Sequence, residues 1–398
     1  MKKLKKKNLF VEINDKCFLV AVGEYDDELN FKITEKEVFS PSEFINGKIV
    51  DLEKSVKNLK KIINQIENRT NFIFSEVNVI INQSDFNCVN ISGFKKLNGN
   101  QILSEDISYI LNDIKSKLGE SEKHKTIIHL FNTKFLLDNK SLKNLPIGLY
   151  GNFYSHQLTF FMMNNYELKN IKTLFNRCNL NVNKIILKSF IDGIKIIESY
   201  KQDTFLKIDL KKNEVQLSFF YNSAFCFFQR FNFGSELILK DIAKVCSLEI
   251  ENVRQMISNI NLKISDENMY VEKKYFNNNS FRKISLKHII EISSARIEEM
   301  INIIFNKNSN LNNIKDKNNN LIIYFEYDEK NTVDKFKNII ESYFKDCKLN
   351  FNSTSNDDYF SSIRIFGKLL CKGWSKEAIP IVYEKKSLIS RIFSSLFE

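Results

Sequence analysis

Two strand–turn–strand segments, about two hundred residues apart, place the strongest constraint on how this 398-residue chain folds. The first is Leu9–Glu24, in which apolar runs flank the turn-forming triplet Asn14-Asp15-Lys16. The second is Phe205–Phe228, again with a polar turn between apolar runs. Each segment opens a half of the chain, so the sequence has a coarse internal repeat and not a short solenoid period. Since the chain is also too long for one simple core, we predict two or more lobes.

Helices and further strands are predicted from the spacing of apolar residues. Ser104 is the predicted N-cap of the helix that follows it. The predicted helices are Ile49–Glu67, Glu105–Leu118, Glu167–Arg177, Ser235–Cys246, Glu249–Ile260, Ser285–Phe305, Val333–Phe344 and Tyr359–Leu370. The further strands are Asn71–Asn82, Leu158–Met163 and Leu321–Tyr327.

Composition excludes several classes of protein. With only 11 glycines and 3 prolines, the chain is neither collagen-like nor mucin-like, and it cannot depend on several glycine-rich phosphate loops. No apolar run approaches the roughly 18–20 residues of a membrane span, and we expect no signal peptide, because charged residues soon follow the basic start. The 7 cysteines are scattered without a CxxC pair, which is typical of reduced thiols in a cytosolic protein, and the 4 histidines show no metal-ligand spacing.

Six blocks of sequence, in order along nearly the whole chain from Asn8 to Glu398, carry a resemblance to a known family. The blocks are VEINDKCFLVAVGE (Val11–Glu24), GKIVDLEKSVKNLKKII (Gly47–Ile63), LPIGLYG (Leu145–Gly151), FNFGSELILKDIAKVCSLEIENVRQMI (Phe231–Ile257), SLKHIIEISSARIEEM (Ser285–Met300) and NDDYFSSIRIFG (Asn356–Gly367). Together with the terminal amphipathic segment, their order and spacing resemble FtsA, the bacterial cell-division member of the actin-like ATPase superfamily.

The resemblance implies an α/β, actin-like two-lobed fold with an FtsA-type inserted small α+β subdomain and a C-terminal amphipathic helix. It also implies a division of the chain into six parts. The first lobe core is 8–83 with 164–196, the inserted subdomain 84–163, the second lobe core 197–233 with 302–372, the outer, peptide-binding subdomain 234–301, the linker 373–386 and the membrane-targeting helix 387–398.

In the family, ATP and Mg²⁺ bind between two phosphate hairpins and an adenosine loop. This chemistry needs glycines, so that backbone N–H groups can close on phosphates, and carboxylates that reach Mg²⁺ through water. Here bulkier residues replace the expected glycines, and we therefore expect a degenerate site, no enzyme activity and no cofactor, with ATP and Mg²⁺ implied by the resemblance alone. The remnant of the site consists of Glu12, Asn14, Asp209, Lys211 and Lys212.

Two details of this remnant bear on its chemistry. Lys211 and Lys212 either neutralise phosphates in a rebuilt site or are solvated turn residues in a dead one. Gln216 replaces the Asp that closes the second hairpin in the family, which argues further against ATP hydrolysis by this chain. The resemblance places the adenosine loop at Phe325-Glu326-Tyr327, where there is no glycine.

The resemblance also implies a partner surface on the helix Ser285–Met300. Arg296 aligns with the arginine of the family's E-P-R triplet, on the subdomain that captures the C-terminal peptide of the tubulin-like protein FtsZ, although Ser294 and Ala295 replace its Glu and Pro. An Arg suits this task because its planar fork can pair with carboxylates or carbonyls. The alternative is a solvated Arg on the polar face of a core helix. Arg282 aligns with an arginine near the family's self-association surface.

The C-terminal segment Ser387–Glu398 is an amphipathic helix by its spacing, too short to span a bilayer but suited to lie in its interface. Its polar face holds Ser390, Arg391, Ser394 and Ser395. The alternative is a helix docked on its own domain. The apolar stripe consists of Leu388, Ile389, Ile392, Phe393, Leu396 and Phe397.

The predicted function is a non-catalytic division adaptor on the cytoplasmic side of the bacterial inner membrane. Its expected partners are the FtsZ peptide, other copies of itself, later division proteins on the inserted subdomain, and membrane lipids. The alternatives are an active ATPase or kinase of the same fold and an actin-like adaptor of pilus assembly, which would lack the terminal amphipathic helix. A nucleic-acid partner is not expected despite the net charge of +11, because the lysines are dispersed and no readout motif is present.

Overall fold

The structure is a computed structural model that describes residues 7–14, 17–40, 44–45, 48–82, 85–259, 269–276, 281–311, 321–327, 330–344, 348–353 and 359–377. These residues form two compact units. The first unit holds the described residues up to Asp203, those of 220–227 and those of 359–377. The second unit holds 204–219 and the described residues from 228 to 353.

Strands and helices are numbered along the chain. The strands are β1 Asn8–Ile13, β2 Phe18–Tyr25, β3 Phe31–Phe39, β4 Phe44–Ile45, β5 Lys48–Ile49, β6 Glu76–Ile81, β7 Phe86–Lys96, β8 Lys125–Leu137, β9 Lys140–Leu142, β10 Phe153–Asn164, β11 Asn181–Leu187, β12 Phe205–Leu210, β13 Val215–Tyr221, β14 Ala224–Phe231, β15 Ile322–Tyr327 and β16 Lys348–Ser353. The α-helices are α1 Leu52–Thr70, α2 Ser104–Ser121, α3 Asn165–Asn176, α4 Lys188–Tyr200, α5 Ser235–Cys246, α6 Ile250–Asn259, α7 Leu286–Ile301, α8 Lys330–Tyr343 and α9 Ser361–Lys372.

A five-stranded sheet with the order β11-β6-β1-β2-β3 lies at the centre of the first unit. Strand β1 pairs antiparallel with β2 and parallel with β6, which in turn pairs parallel with β11. The predicted first hairpin is confirmed, and the N–H of Asn14 donates to the carbonyl of Cys17 at 3.0 Å. Strand β1 is buried on both faces, which explains its continuous apolar run, whereas the edge strand β3 alternates half-buried and exposed residues.

A second five-stranded sheet repeats this strand order, as β14-β13-β12-β15-β16. In both sheets the first strand lies in the middle, the next two lie on one side of it and the last two on the other. The internal repeat predicted from the sequence is therefore confirmed in the strand order. Strand β12 pairs parallel with β15, and β15 pairs parallel with β16.

The segment Phe205–Phe228 contains one strand more than predicted. It holds β12, β13 and most of β14, because the chain turns a second time at Asn222 and Ser223. These two residues have φ angles of 46° and 66°. Left-handed φ angles at both central residues are typical of the tight type I′ hairpin turn, which here is built without glycine.

A four-stranded antiparallel sheet, β7-β10-β8-β9, lies within residues 86–164 of the first unit, and α2 packs on it. We predicted Ser104 as the N-cap of α2, and this prediction is wrong. The N-cap is Leu103, and Ser104 is the first residue of the helix. The carboxylate of Asp106 reaches back and accepts the N–H of Leu103 at 2.8 Å, which is the contact that the acidic residue of a capping box makes. The core between helix and sheet includes Ile107, Ile110, Leu111, Ile114, Leu130, Leu158 and Phe160.

Helix α9 packs in the first unit, against α4, β3 and β1. The sequence-based division assigned 302–372 as a whole to the second lobe, and for this helix the assignment was wrong. The cause is aromatic packing, since the Phe366 ring lies 5.6 Å from the ring of Phe10 at a T-shaped angle. A Cβ on Gly367 would come within 2.4 Å of the Phe31 ring, so the helix needs glycine to approach the sheet.

The predicted helix Ser285–Phe305 is confirmed in its first part. The hydroxyl of Ser285 accepts the N–H of His288 at 3.2 Å and caps α7. The α-helix ends at Ile301, and the wider π-helical turn Asn302–Asn306 follows it. This change lies where Ile304 and Phe305 enter the core of the second unit.

His156 on β10 is a buried, neutral histidine. Its side chain is fully buried, and its Nε2–H donates to the amide oxygen of Asn132 at 2.9 Å. Burial lowers the pKa of His156 from 6.5 to about 3. The unfolded chain therefore binds a proton below about pH 6.5 that the folded chain does not bind.

We predict that His156 makes the protein less stable in mild acid. Because the unfolded state binds the extra proton, the free energy of unfolding should fall by about 1.4 kcal/mol per pH unit below the unfolded pKa, or by about 2 kcal/mol at about pH 5. His156→Gln keeps an amide donor and should remove this part of the pH dependence in urea unfolding. His288→Gln, at a half-exposed histidine of α7, is the matched control and should keep the wild-type slope. Equal slopes in all three proteins would contradict the prediction.

Candidate functional site

The first hairpin presents a carboxylate that is buried and paired. Glu12, the penultimate residue of β1, is only 1% exposed. The ammonium of Lys188, the first residue of α4, lies 2.9 Å from its Oε1, in an ion pair that does not have hydrogen-bond geometry. Lys188 also donates to the hydroxyl of Ser362 on α9 at 2.8 Å. Asn14 lies in the hairpin turn, and the next turn residues, 15–16, are outside the described residues.

The second hairpin begins with a strand that carries two charges among apolar residues. Asp209, the penultimate residue of β12, pairs with Lys207 two residues before it on the same strand. The same ammonium lies 2.5 Å from the Oε2 of Glu326, which is the register partner of Asp209 on β15. The Lys207 side chain is 3% exposed, so one buried cation contacts both carboxylates.

The turn of the second hairpin is closed by its own charges. The Lys211 ammonium lies 3.2 Å from Oε1 of Glu214, and Arg230 Nε lies 2.7 Å from Oε2. Gln216 donates to the same carboxylate at 2.6 Å. Burial opposes the charged form of Glu214, but Lys211, Gln216 and Arg230 outweigh it and lower the pKa. Lys211 is thus a half-buried, paired residue, whereas Lys212 is exposed and lies 3.9 Å from Glu236.

The N-terminus of α5 lies directly against this turn. The N–H groups of Ser235 and Glu236 donate to the carbonyls of Lys211 and Lys212, each at 3.0 Å. A Cβ on Gly234 would lie 2.2 Å from the Lys211 carbonyl oxygen, which is why glycine is required there. Free N–H groups at a helix N-terminus form a common anion site, and here two of them bind the hairpin backbone.

The predicted adenosine loop is not a loop. Phe325-Glu326-Tyr327 form the end of β15, between β12 and β16 in the sheet. The strand predicted from the apolar pattern, Leu321–Tyr327, is confirmed, whereas the loop position implied by the resemblance is wrong, because Phe325 and Tyr327 are buried in the strand. The next two residues, 328–329, lie outside the described residues.

These contacts test whether the remnant suits Mg²⁺ and a nucleotide. Mg²⁺ usually keeps several of its waters and is bound through one or two carboxylates. In the second unit the ammonium of Lys207 stands against the two carboxylates that would face such an ion, and in the first unit Lys188 stands against Glu12. Across the described parts of the chain, no group of three or more His, Cys, Asp or Glu side chains could hold a metal. The residues present therefore do not fit Mg²⁺.

Arg296, the predicted peptide-binding residue, lies between two acidic side chains. Its Nε pairs with Asp241 of α5, and its Nη1 lies 2.5 Å from Glu299 of the same helix. Hydrogen bonding to Asp241 raises the pKa of the guanidinium. The side chain is one-quarter exposed and is neither fully solvated nor buried. Arg282 is exposed, and its Nη1 lies 3.5 Å from the hydroxyl of Ser247.

The six residues of the predicted membrane stripe, Leu388, Ile389, Ile392, Phe393, Leu396 and Phe397, lie outside the described residues, as does all of 378–398. In the part of the chain that is described, no helix has the length and apolar character to cross a bilayer.

Two lysines of the site were missed in the sequence. Lys207 and Lys188 were not predicted as site residues. Lys207 pairs with Asp209 and Lys188 pairs with Glu12, and both of these acids were predicted. A signal for Lys207 was present, because a Lys and an Asp inside the buried run FLKIDL must be paired to be tolerated there. For Lys188 no comparable signal exists, since it begins an ordinary helix far along the chain from Glu12.

Known proteins similar to this chain point to one family. No protein-family model matches. The cell division protein FtsA of Escherichia coli (strain K12) is 21% identical over 199 residues, which are 50% of this chain and 47% of that protein. The FtsA of Buchnera aphidicola subsp. Baizongia pistaciae is 25% identical over a stretch of the same length. The chain thus spans about half the length of the curated relatives it matches.

A solved structure of the PilM-PilN type IV pilus biogenesis complex matches 99% of this chain and 100% of its own, with a TM-score of 0.51 and 8% sequence identity. At that identity the match shows a shared fold alone. The fold is the actin-like one, as the six blocks of sequence implied. This chain therefore has the actin-like fold and is similar in sequence, over half of its length, to the cell division protein FtsA.

Proposed function

We propose that this chain is a cell-division adaptor that tethers a ring of FtsZ to the cytoplasmic face of the bacterial inner membrane. The observation that carries the proposal is the sequence similarity to FtsA of Escherichia coli over 199 residues. The adaptor is peripheral, binds the C-terminal peptide of FtsZ on the second unit, and attaches to lipid through Ser387–Glu398. It acts by binding and not by catalysis.

Co-flotation tests the whole proposal. Liposomes of bacterial lipid should recruit FtsZ polymers only when the full chain is present. Recruitment should fail for a variant that ends at Lys386 and for a variant altered at Arg296, each for a different reason. FtsZ that floats equally well without the chain, or with both altered variants, would contradict the adaptor role.

Residues 84–163 are the proposed docking region for later division proteins. Large apolar side chains are exposed here, with Phe94 at 62%, Tyr109 at 58% and Tyr150 at 71%. Exposed apolar patches on a folded protein commonly mark interaction surfaces. Self-association is proposed to involve the exposed Arg282.

The nucleotide site is proposed to be degenerate. Its acids are neutralised by Lys188 and Lys207, and two N–H groups at the start of α5 are bonded to the second hairpin. Binding of Mg-ATP would have to break these contacts. Mg²⁺ would need the carboxylates that the ammonium groups of Lys188 and Lys207 already contact.

We predict that the chain does not bind Mg-ATP with useful affinity. Calorimetry at sub-millimolar nucleotide should show no saturable heat, because the positions for phosphate and metal are filled by the chain itself. A nucleotide-competent member of the FtsA family, titrated in the same buffer, is the positive control. A micromolar Kd for this chain would contradict the prediction and would favour a rebuilt site around Lys211 and Lys212.

Arg296 is proposed to bind the FtsZ peptide from its position between α5 and α7. The guanidinium has five N–H donors on three nitrogens, and the described contacts use Nε and Nη1. Asp241 and Glu299 hold the group in place, so an approaching carboxylate or carbonyl meets a preorganised donor.

We predict that Arg296→Glu weakens binding of a C-terminal FtsZ peptide by more than about tenfold, which is about 1.4 kcal/mol. The change removes the donor and places a third acid beside Asp241 and Glu299. Lys244→Glu, at an exposed position of α5, makes the same change in net charge and should have a much smaller effect. Fluorescence anisotropy measures the affinity, and circular dichroism checks the fold. Equal affinity for Arg296→Glu and wild type would rule out the role.

The membrane anchor is proposed to act through its apolar stripe more than through charge. If each of the six apolar side chains gains about 1–1.5 kcal/mol, the stripe contributes about 6–9 kcal/mol before the costs of folding and immobilising the helix. Lys385, Lys386 and Arg391 add roughly 1 kcal/mol each on anionic lipid. The expected result is weak, reversible binding for one copy and stronger binding for an assembly.

We predict that Ile392→Glu with Phe393→Glu abolishes co-sedimentation with liposomes, even on anionic lipid, because two carboxylates then lie on the apolar face. Raising the salt concentration screens the three cations and should only weaken binding. Ser390→Glu with Ser394→Glu adds the same charge on the polar face and should retain most of the binding. Salt-sensitive binding that survives the double substitution on the stripe would instead indicate an electrostatic tether, most plainly the basic segment Lys2–Lys7.

A further inference from the structure

The last described residues, 374–377, are joined to strand β8 by their backbone, and we call them the strap. The carbonyl of Lys376 accepts the N–H of Asn132 at 2.8 Å, and Glu377 forms an antiparallel bridge with Phe131. Strand β9 pairs with β8 further along, at its C-terminal end. The strap therefore extends the edge of the four-stranded sheet by a short stretch.

The carboxylate of Glu377 is buried under this contact and receives a hydrogen bond at one oxygen. Its side chain is 2% exposed, and its Oε1 lies 2.5 Å from Nδ1 of His129 on β8. Its Oε2 has no hydrogen-bond partner within the described chain. A buried carboxylate that stays ionised usually needs several hydrogen bonds or a cation beside it.

A contact on the other side of the ring indicates the protonation of His129. Its Nε2 accepts the backbone N–H of Leu187 at 3.0 Å, so this nitrogen carries no proton. The proton of the neutral ring is then on Nδ1, from which it is donated to Glu377. The histidine therefore offers Glu377 a hydrogen bond but no positive charge.

The lysines around the carboxylate do not compensate for its burial. The charge of Lys184 on β11 favours the ionised form of Glu377. Lys376, next to it in the strap, directs its ammonium to the carbonyl of Lys143 at 3.3 Å. Burial raises the pKa of Glu377 above its ordinary value of 4.5, against the opposing effects of His129 and Lys184.

Docking of the strap is therefore coupled to a proton. In an open form Glu377 is solvated and ionises near pH 4.5, whereas in the docked form it keeps its proton to a higher pH. Between the two pKa values the docked form binds one proton more than the open form, so the docking equilibrium falls by about tenfold for each pH unit. Docking is most favourable below the lower pKa and weakens as the pH rises through the higher one.

We propose that residues 374–377 form a proton-operated strap, which is docked on the first unit when Glu377 is protonated and is released when its carboxylate ionises. The docked strap contacts β8 through Asn132, the turn between β13 and β14 through Trp374, and the junction of β11 and α4 through His129. A change in pH thus acts on three elements of the first unit. This inference stands whether or not the chain is a division adaptor.

Fluorescence tests the proposal on the full chain, because Trp374 is its only tryptophan. In wild type, acrylamide quenching of this fluorescence should be low at about pH 5 and should rise towards about pH 9 as the strap opens. Glu377→Gln keeps the shape and the hydrogen-bond acceptor but cannot ionise, so quenching should stay low throughout. Glu120→Gln, at an exposed position of α2, is the matched control and should keep the wild-type response. Any acid effect of His156 is common to these chains.

Hydrogen exchange measures the same event on the other side of the contact. The N–H of Asn132 is bonded to the strap, so its protection factor in wild type should fall by about tenfold for each pH unit over which Glu377 ionises, after correction for the intrinsic exchange rate. In Glu377→Gln the protection factor should not change with pH. Circular dichroism checks that each variant is folded.

Three results would overturn the proposal. Neither the quenching of Trp374 nor the protection of Asn132 changes with pH in wild type, or Glu377→Gln keeps the wild-type pH dependence, or Glu377→Gln opens the strap or unfolds the chain at every pH. The last result would mean that the strap is held by an ion pair between an ionised Glu377 and a protonated His129, which a neutral glutamine cannot form.

Discussion

A carboxylate buried at the end of a central strand requires a cation beside it, and both units of this protein are built around that requirement. Breaking a buried ion pair by removing one partner typically costs about 3–5 kcal/mol, because the remaining charge is stranded. The pairs also position secondary structure. Lys188 connects the end of β1, through Glu12, to Ser362 of α9, and Lys207 connects β12 to β15 through Glu326. The elements that carry the candidate site are therefore held by the charges of the site itself.

Packing between aromatic rings stabilises the core of the first unit. The chain has 35 phenylalanines, and several of them pack together in the first unit. Ring centroids lie between 4.2 and 6.4 Å apart among Phe131, Phe161, Phe190 and Phe225. The segment 374–377 is fastened beside this group. The indole of Trp374 lies 6.3 Å from the Phe190 ring and donates to the Ser223 carbonyl at 2.7 Å, while the buried Glu377 pairs with His129. These contacts hold the last described residues, 374–377, against the first unit.

Local patterns predicted most of the helices and both hairpins, and each failure has a physical cause. The second turn of the long hairpin was missed because Asn222 and Ser223 adopt left-handed φ angles that glycine usually marks. The edge strand β3 was not predicted, since its alternating charged residues are also typical of a surface loop. Helix α9 was assigned to the wrong unit. An apolar face predicts that a helix is buried, but it does not predict which elements pack against that face.

The sequence by itself determined the periodicities, and with them the strand–turn–strand openings, the amphipathic helices and the acids Glu12 and Asp209 at the ends of two central strands. These features depend on residues close together in the chain, whose relative geometry the backbone sets within a helix or a strand. Only the tertiary structure decided which cation meets which acid and that Arg296 lies between Asp241 and Glu299. Such pairings depend on sheet register and helix packing, because these bring distant residues within ion-pair distance and leave no periodic signal along the chain.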